Sequence, residues 1–323
     1  MVDRIELEKS GFEVEKIKGV TVEPGVKASE LVKRMKYCGL QASEVAKAVE
    51  VIKEMKRDNA TVFLTFTSNM VSSGLRELFA QLAREKFVDC IITSVGSVEE
   101  DLMKTENDFL LGSFDADDVE LHERGVNRVG NIFVPNAHYE WLEKFLKPFF
   151  EKEFAKQEAL GRLLAPSELI HDLGFEIADE NSFVCQAARN GIPVFCPAPT
   201  DGAFGLQVFF FKQDHPKFGI DVTADMKRLS QIVFSAKKTG GIILGGGVAK
   251  HQAIGVNIVR GGFDYAVYVS TGSEYDGSLS GARTREAVSW GKISEEAFAK
   301  KKTAFVEGDA SIVFPLIIAG VKD

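Results

Sequence analysis

The chain has 323 residues, 45% of them hydrophobic, and a formal net charge of −8 at pH 7. That length and apolar content are enough to bury a sizeable core, whereas the acidic balance argues against a nucleic-acid partner and favours cationic ligands. The N-terminus has no apolar signal core, and the longest late apolar run, residues 310–321, is too short to span a bilayer. We therefore expect a cytoplasmic protein that binds neither nucleic acid nor membrane.

The four cysteines, Cys38, Cys90, Cys185 and Cys196, have no metal-type CxxC spacing. Three of them lie in apolar surroundings, where a reduced cysteine packs like a small hydrophobic residue. The pattern predicts reduced thiols and no metal site.

The chain shows no sign of a domain boundary. No Pro/Ser-rich linker, low-complexity tract or internal repeat divides it, so we expect a single domain over residues 1–323 with a helical N-terminal extension at about residues 1–58. Between residues 29 and 57 apolar side chains recur at helical spacing, with a break near Gly39. This segment is predicted to pack against the rest of the domain.

Strands and helices alternate from residue 61 onward. The predicted strands are 61–66, 88–93, 131–135, 192–196, 240–245 and 264–271. The predicted helices are 72–87 and those beginning at Tyr139, Ser182, Asp221 and Lys250. This alternation predicts an α/β fold with a Rossmann-like parallel sheet covered by helices on both faces, and with ligands bound at the carboxyl ends of the strands.

Several motifs follow predicted strands. Three glycines at 245–247 stand between a strand and a helix, where their backbone can approach a pyrophosphate closely. The run is not GxGxxG, and taken alone it is better explained by a tight turn without a ligand. The runs TSN at 67–69 and TSVG at 93–96 supply hydroxyls and an amide at the same predicted edge. Helix capping by Ser72 or Ser97 accounts for part of that pattern.

The run EAVSWGKI at 286–293 places Lys292 next but one to Trp290 and six residues after Glu286. A lysine amine attacks carbonyls or imines when it is deprotonated, and burial beside an indole lowers its pKa by disfavouring the charged form. We therefore take Lys292 as the candidate nucleophile. Lys250, beside the glycine run, is the competing lysine, since it is placed to serve a phosphate.

Blocks in this order and spacing, from about residue 30 to the end, resemble the deoxyhypusine synthase family. They are TSNMVSSG at 67–74, TSVGSVEEDLMK at 93–104, CPAPTDGAFG at 196–205, TGGIILGGGVAKHQ at 239–252, GSEYDGSLSGAR at 272–283, EAVSWGKI at 286–293 and DASIVFPL at 309–316. The resemblance implies a deoxyhypusine synthase-type NAD-binding domain without the usual dinucleotide fingerprint.

The resemblance also implies site residues. It gives Lys292 as the nucleophile and His251 as the base that deprotonates the secondary amine of the polyamine. The residues matched to the NAD site are Ser68, Asn69, Ser72, Ser94, Val95, Gly96, Asp201, Gly246, Asp276, Asp309 and Ala310. Those matched to the polyamine site are Glu100, Ser280, Glu286 and Trp290. Glu100 belongs to an acidic triplet, residues 99–101, expected at the start of a helix, where the helix dipole favours carboxylates.

The implied reaction is an aminobutyl transfer that uses NAD and has no net oxidation. The donor is spermidine, the group passes through an imine on Lys292, and the acceptor is a lysine of the translation initiation factor 5A precursor. The resemblance further implies a homotetramer, built as a dimer of dimers with active sites across the dimer interface.

Three positions depart from the family pattern. Leu206 and Leu279 stand where the eukaryotic enzymes have aspartates, and Gly255 stands where they have an asparagine. An ammonium buried without a partner costs several kcal/mol, so we expect a donor or acceptor different from the eukaryotic one. The alternatives are a homospermidine synthase-type enzyme with putrescine as acceptor and a non-catalytic NAD-binding relative.

Overall fold

The structure is a computed structural model, which describes residues 14–323. The part of the predicted N-terminal extension that falls on residues 1–13 lies outside the described residues. The remainder of that segment contains two helices, the second of which packs against the last strand and the last helix of the domain.

The strands of the described chain alternate with helices, as the periodicity predicted. The strands are β1 (Thr61–Phe66), β2 (Cys90–Thr93), β3 (Leu110–Leu111), β4 (Val126–Val129), β5 (Ile132–Pro135), β6 (Val194–Phe195), β7 (Thr239–Leu244), β8 (Tyr265–Ser270) and β9 (Thr303–Glu307). Six of them form one sheet in the order β6-β2-β1-β7-β8-β9, and every neighbouring pair is parallel. The predicted α/β parallel sheet is thereby confirmed.

Helices connect these strands. They are α1 (Ala28–Arg34), α2 (Gln41–Arg57), α3 (Ser68–Met70), α4 (Arg76–Arg84), α5 (Val95–Met103), α6 (Asp118–Glu123), α7 (Asn136–Leu160), α8 (Pro166–Glu176), α9 (Phe183–Asn190), α10 (Ala203–Asp214), α11 (Ala224–Ser235), α12 (Gly247–Val256), α13 (Thr284–Ser289), α14 (Glu295–Ala299) and α15 (Ala310–Val321). A π-helical turn, Val71–Leu75, joins α3 to α4. Within the described residues no helix is both long and apolar enough to cross a membrane.

The sheet is buried on both faces because successive side chains of its strands enter two different hydrophobic clusters. In β1, Val62, Leu64 and Phe66 pack in the larger cluster, with side chains of α2, α4 and α15. Phe63 points the other way, into the cluster that contains residues of α11, α12 and α13. Side chains of a strand alternate between the two faces, so both faces of the sheet are covered, as expected for parallel strands.

The predicted strand at 131–135 is real, but it does not continue the parallel alternation. It is β5, which pairs antiparallel with β3 and β4 in a separate three-stranded sheet. Gly130, with a φ of 62°, lies in the connection between β4 and β5, which allows a tight hairpin because glycine adopts positive φ without steric cost.

The sequence patterns set several helix boundaries a few residues away from those observed. The helix expected from Tyr139 begins at Asn136, that expected from Asp221 begins at Ala224, and that expected from Lys250 begins at Gly247. The helix expected from Ser182 is capped by the side chain of that residue, which accepts from Cys185 N. The elements that were not predicted include α8, α10 and β9.

Candidate functional site

The carboxyl ends of four adjacent strands enclose a cavity of about 480 Å³, which we call the strand-end cleft. Its walls come from the segments that follow β1, β7, β8 and β9. The lining residues are Thr67, Asn69, Met70, Gly245, Gly246, Gly247, Val269, Ser270, Thr271, Gly272, Ser280, Gly308, Asp309 and Ala310. The cleft therefore brings together four residues matched to the NAD site, Asn69, Gly246, Asp309 and Ala310, with Ser280, which was matched to the polyamine site.

The glycine run forms a tight turn into α12. Gly245 and Gly247 have φ values of 77° and 65°, a conformation that side chains rarely adopt. A Cβ at Gly247 would meet nothing within 4 Å, so the N-terminus of α12 is open to a ligand. Free amides at a helix N-terminus attract anions such as phosphates. The turn thus has the backbone geometry that a pyrophosphate needs.

Residues after β1 and β2 adjoin this cleft. A Cβ at Gly96 would lie 2.9 Å from Ser68 Cβ, which puts the starts of α3 and α5 in direct contact. Val95 is likewise close to Gly202, since a Cβ added at Gly202 would lie 2.8 Å from the Val95 side chain. The residues matched to the NAD site that follow β1 are therefore neighbours of those that follow β2. Asp201, which was also matched to the NAD site, is next in sequence to Gly202.

The acidic triplet lies in the middle of α5, not at its start, because the helix begins at Val95. Its carboxylates are fixed by tertiary contacts. Glu99, 7% exposed, accepts a hydrogen bond from Phe204 N at 2.7 Å, at the start of α10. Asp101, fully buried, accepts from Arg76 Nε at 2.6 Å and from Ser182 Oγ at 2.6 Å. The expectation that the helix dipole stabilises these two carboxylates is therefore wrong.

Glu100 has a different environment. Ser72 donates a hydrogen bond to its carboxylate. A residue matched to the NAD site is therefore paired with one matched to the polyamine site. Burial raises the pKa of Glu100 to about 8, and the Ser72 hydrogen bond opposes that rise. A carboxyl with so high a pKa near a cleft is typical of functional sites.

A second cavity has a volume of about 280 Å³, and we call it the lysine cavity because Lys250 and Lys292 line it. It lies beside α12, β8 and the segment that runs from the loop after β8 through α13. Its lining residues are Lys250, His251, Ile254, Tyr268, Gly277, Leu279, Ala282, Arg283, Glu286, Ala287, Trp290 and Lys292. Both predicted catalytic residues, Lys292 and His251, share this cavity with Glu286 and Trp290. Of the four residues matched to the polyamine site, Glu286 and Trp290 lie here, Ser280 lines the strand-end cleft, and Glu100 lines neither cavity.

The backbone of Lys292 is held by the turn that ends α13. Gly291 has a φ of 65°, and Lys292 N donates to Ala287 O at 2.9 Å. Lys292 O in turn accepts from Phe263 N at 3.0 Å, which ties the turn to the residues before β8. A positive-φ glycine after a helix is a common way to end it. The local WGKI sequence thus positions the lysine.

The expectation that Lys292 is buried against an indole is wrong within this chain. Lys292 Nζ lies 4.9 Å from the centre of the Trp290 ring, so the contact exists. However, Trp290 is 65% exposed, and His251 and Glu286 are also exposed. Lys292 itself is only half-buried.

Lys250 is the buried lysine of the pair. It is 1% exposed, and its Nζ donates to Leu279 O at 2.7 Å and to Ala282 O at 2.8 Å. Its Nζ also lies 4.4 Å from the centre of the Tyr268 ring. Burial lowers the pKa of Lys250 to about 8. Lys250 therefore supports a wall of the cavity and does not reach a phosphate.

That wall separates the two cavities. Leu279 lines the lysine cavity, and the next residue, Ser280, lines the strand-end cleft. Ser280 O accepts from Ser270 Oγ at 2.7 Å, and a Cβ at Gly246 would lie 2.3 Å from Ser280 Oγ. The wall is therefore packed directly onto the glycine turn, and a ligand spanning both cavities would pass along it.

Other sequence-matched positions lie outside both cavities. Asp276 is exposed on a short turn, where it accepts from Ser278 N at 2.6 Å. Leu206 is 50% exposed on α10. Gly255 lies in α12 with nothing within 4 Å of an added Cβ. Among residues 14–323, no group of three or more His, Cys, Asp and Glu could hold a metal ion.

Two residues of the lysine cavity were missed by sequence reasoning. Tyr268 is 1% exposed and comes from β8, whose residues are all buried, so no alternation marks the side chain. Arg283 lies at the end of the GAR run and pairs with Glu274 Oε2 at 2.7 Å. The arginine could have been noted as part of a quoted motif, whereas the tyrosine gave no signal.

The fold and the two cavities together indicate the class of protein. A parallel α/β sheet with a glycine turn at its strand ends, beside a cavity containing a lysine, a histidine and a carboxylate, is the framework of an enzyme. The family model described as deoxyhypusine synthase matches residues 30–321. The chain belongs to the deoxyhypusine synthase family and is a transferase.

Similar proteins cover nearly the whole chain. A protein of Halobacterium salinarum named "probable deoxyhypusine synthase" is 48% identical over 292 residues, which are 90% of this chain and 87% of the relative. A protein of the same name from Pyrococcus furiosus is 41% identical over 327 residues, 96% of each chain. A crystal structure assigned to a deoxyhypusine synthase of Entamoeba histolytica superposes with a TM-score of 0.66 at 28% identity, covering 95% of this chain and 96% of the other.

Proposed function

We propose that this protein is an NAD-dependent aminoalkyl transferase, which moves an aminobutyl or related group from a polyamine through an imine on Lys292 to an acceptor amine. One observation carries the proposal. Lys292, His251 and Glu286 line one cavity, and the wall of that cavity is shared with a glycine-rich cleft at the strand ends. A covalent lysine intermediate and a redox cofactor can therefore act on the same donor.

The strand-end cleft fits NAD. The open N-terminus of α12 at Gly247 suits a pyrophosphate, and Asn69 and Asp309 offer polar groups for the ribose hydroxyls. Bound NAD would accept a hydride from the donor and later return it, so that the reaction has no net oxidation. The chain's own residues must then supply proton transfer, the nucleophile and the substrate contacts.

His251 takes the proton from the secondary nitrogen of the donor when the hydride leaves the adjacent carbon, which produces a carbon–nitrogen double bond. The neutral amine of Lys292 adds to that carbon, the original carbon–nitrogen bond breaks, and the first amine departs. Glu286, as the carboxylate of the lysine cavity, binds the terminal ammonium and keeps the reacting carbon near Lys292.

The group is then transferred by the same chemistry in reverse. The acceptor amine adds to the imine carbon, and Lys292 leaves as the free amine. NAD held in the cleft of Asn69, Gly246 and Asp309 would supply the hydride that converts the new imine on the acceptor into a stable secondary amine. We propose that the acceptor is a lysine of the translation initiation factor 5A precursor, in line with the family.

The exposure of the lysine cavity supports a homotetramer whose active sites are completed by a neighbouring copy. Trp290 is 65% exposed, although hydride transfer and imine chemistry need exclusion of water. A second chain packed over this face would supply that exclusion, which is consistent with sites across a dimer interface.

The proposal is tested by intact-mass spectrometry after incubation with NAD and a panel of polyamines, with borohydride to reduce any imine. We expect a mass gain equal to the reduced aminoalkyl group in the wild type and none in Lys292→Ala, with turnover lowered by at least ~10³-fold. Lys300→Ala is the matched control, because Lys300 is an exposed lysine on the turn after α14. It should retain the mass gain.

The acceptor is tested separately by supplying either the factor precursor or putrescine. A product on putrescine alone would indicate a homospermidine synthase-type enzyme. Bound NAD with no adduct from any polyamine would contradict the proposal and indicate a relative that has lost the reaction.

A further inference from the structure

The wall between the two cavities is one short stretch of chain, residues 279–282, which we call the dividing segment. Leu279 and Ala282 line the lysine cavity, whereas Ser280 lines the strand-end cleft. The segment belongs to none of the described helices or strands, so the repeating hydrogen bonds of such elements do not fix its position. Any displacement of it would change the shape of both cavities together.

On the cleft side, the dividing segment packs against backbone. A Cβ at Gly246 would lie 2.5 Å from Ser280 Cα, and a Cβ at Gly272 would lie 2.8 Å from Ser280 C. Ser270 Oγ donates to Ser280 O at 2.7 Å. The backbone of Ser280 is therefore close to both the glycine turn and the loop after β8. A ligand held at the glycine turn would restrict the movement of the segment at this residue.

On the other side, one side chain holds the segment. Lys250 Nζ donates to Leu279 O at 2.7 Å and to Ala282 O at 2.8 Å, so its ammonium bridges the first and last residues of the segment. Lys250 belongs to the first turn of α12, which begins at Gly247 in the lining of the cleft. It thus ties the dividing segment to the helix whose N-terminus opens into the cleft.

The energetic cost of this arrangement indicates a role beyond filling space. Lys250 is 1% exposed, and its hydrogen bonds are made to carbonyl oxygens, not to a carboxylate. A buried ammonium of this kind costs more than an uncharged side chain of similar size. Methionine would fill the same space, but it could not hold two carbonyls at fixed positions. These contacts are internal to one chain, so they do not depend on what covers the exposed face of the lysine cavity.

We propose that Lys250 is a positioning residue that couples the two cavities, so that a cofactor in the strand-end cleft strengthens donor binding in the lysine cavity. This inference rests on the proposed function and adds a residue to its machinery. The cofactor restricts the dividing segment at Ser280, and Lys250 extends that restriction to Leu279 and Ala282 on the donor side. The donor then meets a wall that is already ordered, which lowers the entropic cost of its binding. Because such coupling is reciprocal, the donor strengthens cofactor binding by the same factor.

The experiment measures the affinity for spermidine by calorimetry, with and without saturating NADH. NADH resembles NAD but accepts no hydride, so no reaction accompanies binding. In the wild type we expect NADH to strengthen spermidine binding by at least ~10-fold, and spermidine to strengthen NADH binding by the same factor. In Lys250→Met, both factors should fall to within ~2-fold of unity. A merely structural role of Lys250 would weaken the binding of both ligands and leave this coupling factor unchanged.

The matched control is Lys56→Met, because Lys56 makes similar contacts outside both cavities. It is half-buried, donates to Phe87 O at 2.7 Å, and its Nζ lies 4.8 Å from the centre of the Phe87 ring. This variant should retain the wild-type coupling factor. Hydrogen exchange of a peptide that contains residues 279–282 gives a second measurement. NADH should slow that exchange in the wild type and in Lys56→Met, but not in Lys250→Met.

Lys250→Gln is measured beside Lys250→Met, because its amide can still donate to one of the two carbonyls, and it should keep part of the coupling. If NAD and spermidine give the Lys292 adduct, a wild-type coupling factor in Lys250→Met, or a wild type without coupling, overturns the inference alone. If spermidine gives no such adduct, the inference falls as stated, and if no polyamine of the panel does, the proposed function falls with it. If neither Lys250 variant folds, as judged by circular dichroism, Lys250 is a structural residue and the inference is overturned.

Discussion

The strand-end cleft and the lysine cavity share a wall but are built from different parts of the chain. The cleft is formed by backbone and small side chains at the ends of β1, β7, β8 and β9, whose positions are fixed by the sheet. The lysine cavity is formed mainly by long side chains from α12 and the segment around α13. Three of its long side chains, those of His251, Glu286 and Trp290, are exposed.

The difference indicates how the two parts of the site become complete. A cleft made of hydrogen-bonded backbone needs no further protein to hold its shape, so it can bind a common cofactor in each copy of the chain. A cavity made of exposed side chains depends on what covers it. Under the proposed function, cofactor binding should therefore depend less on a neighbouring copy than donor binding does.

The largest expected effect on stability comes from the buried network beside the cleft. In Asp101→Ala, buried Arg76 would lose the more buried of its two carboxylate partners, keeping only Asp179, and the N-terminus of α9 would lose an acceptor. Breaking one partner of a buried pair costs about 3–5 kcal/mol. The free energy of unfolding, measured by urea denaturation, should fall by that amount.

An ion pair at the rim of the lysine cavity serves as the comparison for the buried Asp101 network. Glu274→Gln removes a partner of Arg283, which is 36% exposed, and should cost less than ~1 kcal/mol. Equal losses for the two variants would contradict the distinction between a buried support and an exposed rim.

Glu100 should make stability depend on pH near the cleft. Its pKa is about 8 in the folded protein, against an ordinary value of 4.5. Between these values the folded state holds a proton that the unfolded state has lost, so the free energy of unfolding falls as pH rises through this window. Each pH unit contributes about 1.4 kcal/mol.

Glu100→Gln should remove this contribution, so its stability relative to wild type should increase from pH 5 to pH 8. Thermal unfolding of both proteins without ligand measures the difference. A difference that is constant with pH would show that Glu100 is ionised in the folded state.

Two glycines, Gly246 in the turn and Gly255 within α12, separate a required glycine from a tolerated one. A Cβ at Gly246 would lie 2.5 Å from Ser280 Cα, so Gly246→Ala must displace the wall between the cavities. We expect a loss of about 1–3 kcal/mol and weaker NAD binding by calorimetry. Gly255→Ala, in open space within α12, should instead stabilise by up to ~1 kcal/mol. Similar behaviour of the two variants would refute the packing argument.

Much of the fold followed from local pattern. Buried strands such as β1 and β7 are short apolar runs bounded by polar motifs, and those motifs lie at the strand ends where they were expected. The antiparallel β5 could not be assigned to its own sheet, since a four-residue strand carries no information about its partners. The positions of Glu99 and Asp101 in α5 were also missed, because their partners are 105 and 81 residues away in sequence.

Lys292 and Lys250 illustrate what the sequence and the tertiary structure each determine. The sequence by itself placed Lys292 directly after Gly291, and the positive φ of that glycine is a local feature of the turn. It could not determine that Lys250 is the buried lysine, since its carbonyl partners lie 29 and 32 residues further along the chain. Local chemistry fixes turns and caps, whereas burial is fixed by the packing of distant segments. The tertiary structure therefore decided that Lys250 is buried in the wall and that Lys292 is half-buried at the turn after α13.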